Sequence, residues 1–71
     1  MNIVKGDLVL VSIPVSERKI HTPIAKYNGQ TMVVSKRVSR LNGQKVYYEL
    51  EGAESEYGIP FAFAKEWVNQ I

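Results

Sequence analysis

The sequence predicts an all-β fold, a small barrel of five to six short strands with one 3-10 turn near the C-terminus. Apolar residues alternate at a period of two over short stretches: Val9, Val11 and Ile13 against Leu8 and Leu10, and Val46, Tyr48 and Leu50 against Tyr47, Glu49 and Glu51. Glycine-centred turn signals, among them Asn28-Gly29 and Asn42-Gly43, separate these stretches. Helical periodicity is missing over every window long enough for an ordinary helix. With 71 residues there is room for one core, so the whole chain is read as a single domain over residues 1–71. Curling one strongly twisted sheet is an efficient way for so short a chain to bury its faces.

Lys5-Gly6-Asp7 is a turn signal that opens the first strand, Leu8 to Ile13, and Pro14 ends it because proline donates nothing to a ladder. Val15 to Pro23 is polar and charged and reads as an excursion loop. Ile24 to Tyr27 reads as a short strand, followed by the Asn28-Gly29 turn. Thr31 to Val38 is the next strand, with Met32, Val34, Lys36 and Val38 on one face and Thr31, Val33, Ser35 and Arg37 on the other. Asn42-Gly43 closes a hairpin onto Lys45 to Glu51. Gly52 to Gly58 is an acidic turn region. Ile59 to Phe63 is a strand whose Pro60 suits an edge or entry position, and Ala64-Lys65-Glu66 makes the 3-10 turn before Trp67 to Ile71. Strand parity gives a core of Val9, Val11, Val33, Val46, Tyr48, Leu50 and Val68.

Composition excludes several classes. Hydrophobic residues at 45% and charged residues at 23% match globular usage and argue against disorder and coiled coil. The absence of cysteine removes disulfides, thiolate nucleophiles and Cys-type zinc sites together. The longest apolar run, Leu8 to Val11, is far short of the roughly 20 residues of a spanning helix, and no charged-then-apolar leader is seen, so a cytoplasmic protein is expected.

The formal net charge of +2 hides an uneven distribution. Residues 1–48 hold eight cations against two anions, whereas residues 49–71 hold five glutamates against Lys65. Such a split either makes a dipolar surface or disappears when the fold interleaves the two halves.

Catalysis needs a positioned base, nucleophile or metal, and His21 is the one histidine. It would need a carboxylate such as Glu17 to orient it and is read as a loop residue. Glu49, Glu51, Glu54 and Glu56 lack the spacing of a dedicated calcium loop, and no glycine-rich phosphate loop occurs. No enzyme activity, metal or cofactor is expected. Lys36, Arg37, Arg40 and Lys45 flank one hairpin with Tyr47 beside them, a set in which cations hold phosphate while an aromatic stacks a base. Parity turns Arg37 away from Lys36, so only part of the set shares a face. The alternative is that these cations guard an exposed strand from pairing. Tyr27, Tyr47, Tyr57, Phe61, Phe63 and Trp67 exceed what one small barrel needs inside. They are either core and loop packing or a groove for a partner protein. Leu8 and Leu10 face outward if Val9 and Val11 face inward, which raises self-pairing, though a monomer is favoured over a homodimer.

Gly58-Ile59-Pro60, then Phe63 to Val68 with Ile71 last, resembles the closing segment of Src-homology-3-type barrels. The opening Lys5 to Val11 and the Asn28-Gly29-Gln30-Thr31 turn are similar to the loop-strand starts of that superfold and of KOW-type modules. The resemblance implies a Src-homology-3-like barrel with an aromatic groove beside its closing 3-10 turn, in which Trp67 has the place of a groove aromatic. Tyr27, Tyr57, Phe61 and Trp67 are accordingly the expected partner-binding residues. The family's tyrosine-rich opening motif and paired tryptophans are missing here. The whole chain also resembles small proteins encoded by phages and prophages of gut and Gram-positive bacteria. Together these imply a non-enzymatic module for a protein or peptide partner, with a nucleic-acid-binding barrel using Lys36, Arg37, Arg40, Lys45 and Tyr47 as the second reading.

Overall fold

A computed structural model describes residues 3–20 and 22–71. The strands are β1 (Leu8–Val11), β2 (Thr31–Arg40), β3 (Lys45–Glu54), β4 (Pro60–Ala64) and β5 (Val68–Gln70). They form one antiparallel sheet in the order β4-β3-β2-β1-β5. The chain is thus predominantly β, with five antiparallel strands and one 3-10 turn (Lys65–Trp67) between β4 and β5. Those two strands end the order and do not pair with each other, so the ladder itself is not closed into a barrel.

Two expectations for residues 15–27 are corrected. Val15–Ile20 and Thr22–Ala25 are short helices, α1 and α2, where the sequence suggested a loop and the start of a strand. Each is too short to show a 3.6-residue period, and local bonds hold them instead. The Pro14 carbonyl accepts from the amides of Glu17 and Arg18. After α2 the amides of Tyr27 and Asn28 donate to the carbonyls of Ile24 and Ala25, which winds these residues into a turn. His21 lies outside the described residues. Ile13, just after β1, is tied to both sides of this excursion. Its amide donates to Asn28 Oδ1 at 2.8 Å, and its carbonyl accepts from Arg18 Nε at 2.8 Å.

The third correction is in β2. Its first residues pair with β1 and its later ones with β3, and the hand-over carries a bulge: Val34 faces Leu50, while Lys36 faces Glu49. One extra residue inverts the alternation. Val34, before the bulge, points inward like Met32 and is 0% exposed, while Lys36 and Val38, after it, are on the outer face, although simple parity puts them on the side of Val34. Val33, expected in the core, is half-buried on the outside opposite Leu8. Ser35, the inserted residue, donates its hydroxyl to the Glu49 carbonyl at 3.0 Å.

The core comprises Ile3, Val9, Val11, Ile13, Tyr27, Val34, Tyr48, Leu50, Ala53, Phe63 and Val68. Five of the seven expected residues are in it; Val46, like Val33, is only half-buried, and it lies near the turn of the β2–β3 hairpin, paired with Ser39. β3 runs on to Glu54 with its own irregularity between Glu49 and Glu54, so it takes in residues read as turn, and Ala53 is fully buried. The outward pair in β1 is Leu8 and Leu10, as parity required. Among the described residues no helix is long and apolar enough to cross a membrane.

Candidate functional site

Tyr27, Tyr57, Phe61 and Trp67 are divided by the fold. Tyr27 follows α2 and is buried, its ring 6.3 Å from Phe61 and 6.0 Å from Phe63, both tilted toward edge-on contact. Such tilted pairs suit the ring quadrupoles and hold the rings in place. Tyr27, one of the four expected partner-binding residues, therefore lies beneath the surface as a support. Phe61, half-buried on β4, leans on it from outside. Tyr57 stands free at 81% exposure.

The turn that carries Tyr57 is built by Ser55. The Ser55 hydroxyl accepts from the amides of Tyr57 and Ile59, each at 3.2 Å, its own amide donates to the Ile59 carbonyl, and its carbonyl accepts from Gly58. A side chain that satisfies two amides in this way holds a short turn without a buried core under it. Between this turn and α2 lies an open groove of about 270 Å³, walled by Tyr57 and Phe61 on one side and Pro23 and Lys26 on the other, with Glu54 and Glu56 along it. The volume is below the roughly 300–1,000 Å³ of pockets that enclose small molecules, and suits one or two side chains of a larger partner. Trp67 is not part of its wall: it ends the 3-10 turn, half-buried against the core.

Pro23, Lys26, Glu54 and Glu56 were missed as groove residues. The signals were present, since Pro23 closes the polar stretch and Glu54 and Glu56 bracket Ser55 in the acidic turn, but nothing in the sequence brings residues 23–26 against residues 54–61.

The hairpin cations are divided as well. In the β2–β3 register Lys36 faces Glu49, Val38 faces Tyr47 and Arg40 faces Lys45, which puts Lys36, Arg40, Lys45 and Tyr47 on the outer face. Arg37 faces Tyr48, on the opposite side. The Arg40 guanidinium lies over the Tyr47 ring, 5.8 Å from its centroid. The fold interleaves the two charged halves of the sequence: Lys36 faces Glu49, Lys45 shares a hollow with Glu66, and Lys26 shares the groove with Glu54 and Glu56.

Among the described residues no three histidine or carboxylate side chains gather as a metal site. No family model matches the chain, and neither a curated protein nor a solved structure matches it.

Proposed function

We propose that this chain is a non-enzymatic binding module that holds a protein or peptide partner in the groove between α2 and the β3–β4 turn. The observation that carries the reading is the pairing of a free-standing Tyr57 with a Phe61 braced from beneath by Tyr27. A rigid aromatic wall offers large contact area while ordering few side chains on binding, which is why aromatics dominate protein interfaces. The strand order and the 3-10 turn before the last strand support a Src-homology-3-like barrel, with the groove in a different place from the one that Trp67 suggested. A phage or prophage setting rests on the resemblance of the whole chain.

The reading is tested by selecting peptides from a random display library on the wild-type domain, then passing them over a Tyr57→Ser variant. Groove binding predicts that most selected peptides no longer bind the variant. Peptides held equally by both proteins overturn it.

A further inference from the structure

We propose that the outer face of the β2–β3 hairpin is a second binding surface, independent of the groove, and that it takes single-stranded nucleic acid. The fold brings Lys36, Arg40 and Lys45 around Tyr47 on one side of two paired strands. Lys36 and Arg40 are four residues apart, about 13 Å along the strand at the usual rise, so the cations form a track and not a single point. At the hairpin end of that track Arg40 lies over the Tyr47 ring. Across from Tyr47 on β4 stands Ala64, a residue too small to cover the ring. A hollow of about 240 Å³ opens there, with Lys45, Tyr47, Ala64, Lys65 and Glu66 in its lining.

These features have complementary chemistry. Cations at strand spacing suit a phosphate chain, and a guanidinium with a phenol ring suits the flat face of an unpaired base. A duplex presents its phosphates but keeps its bases stacked inside, so Tyr47 would have nothing to stack on. An acidic peptide would satisfy the cations and leave the ring unused. At this end Arg40, Lys45 and Lys65 outnumber Glu66, while Lys36 stands across from Glu49; Glu54 and Glu56 lie at the far end of β3.

The test is fluorescence anisotropy with labelled 12-nucleotide oligo-uridine and oligo-thymidine, against the same length of duplex and of polyglutamate. Three phosphate contacts on a single strand give a salt slope of about −2, so affinity should fall roughly 20-fold between about 50 and 200 mM salt. Tyr47→Leu should weaken binding by about 5-fold to 150-fold, the range for loss of one stacked base. A Lys36→Gln, Lys45→Gln double variant, changed only at exposed positions, should lower both the affinity and the salt slope. Lys19→Gln on α1 should do neither. The proposal is overturned by absence of binding at low salt. It is equally overturned by duplex or polyglutamate binding as tightly as the oligonucleotides, or by Lys19→Gln acting as strongly as the hairpin variant.

Discussion

The register of β2 against β1 and β3 makes opposite demands on two adjacent valines, and alanine at each position measures it. Val34 is fully buried opposite Leu50, whereas Val33 is half-buried on the outside opposite Leu8. Val34→Ala removes two buried carbons, about 1.6 kcal/mol at 0.8 kcal/mol each, and a cavity that does not fully relax adds to it. The total is roughly 2–3 kcal/mol. Val33→Ala removes the same atoms from a partly wet site and should cost less than about 1 kcal/mol. Both changes are in one strand, so the loss of a β-branched residue is shared and largely cancels in the comparison. At about 4–8 °C per kcal/mol for a domain of this size, Val34→Ala should lower the melting temperature by roughly 8–24 °C and Val33→Ala by less than about 8 °C. Thermal melts followed by circular dichroism, with urea titrations as a check, read both variants. Equal losses, or a larger loss for Val33→Ala, would contradict this assignment of faces in the first half of β2.

Other substitutions probe separate features. Asn28→Ala leaves the part-buried Ile13 amide without its acceptor and should cost about 1–3 kcal/mol in urea unfolding, while Asn28→Asp, which keeps an acceptor oxygen, should cost less. Leu41 has a positive φ of 53° at the tip of the β2–β3 hairpin, a conformation that costs a side chain bearing Cβ roughly 1 kcal/mol, so Leu41→Asn should raise the melting temperature by a few degrees. Trp67 packs against the core, so acrylamide should quench its fluorescence less in the folded chain than in urea, and equal quenching would remove it from that packing. Leu8 and Leu10 form a patch too small for the roughly 800 Å² per partner of a stable interface, so sedimentation at concentrations about tenfold apart should give a monomer mass at both.

Elements whose partners are near in sequence were legible from it. The Leu8–Leu10 and Val9–Val11 alternation and the Asn42-Gly43 hairpin each encode their geometry within a few residues. The helices α1 and α2 were not, because six and four residues carry no measurable period and their bonds depend on Pro14, Arg18 and Asn28 meeting Ile13 and its neighbours. The bulge was hidden for a similar reason. Ser35 fits either strand face by composition, and only its place between the Val34–Leu50 and Lys36–Glu49 pairs shows that it is the inserted residue. Of the site, the aromatics were visible as types but their depths were not. Tyr27 is buried because the α2 turn carries it under Phe61, and Tyr57 is exposed because Ser55 holds its turn away from the core.

The claim that Tyr57 and Phe61 form a partner groove is tested most directly by titrating a library-selected peptide into isotope-labelled protein and following amide chemical shifts. The account predicts that the largest changes fall on residues 54–61 and 23–27, with the amides of the β2–β3 hairpin and of Trp67 nearly still. Changes concentrated at Trp67 or along Lys36 to Lys45, with the amides of Tyr57 and Phe61 unmoved, would contradict it.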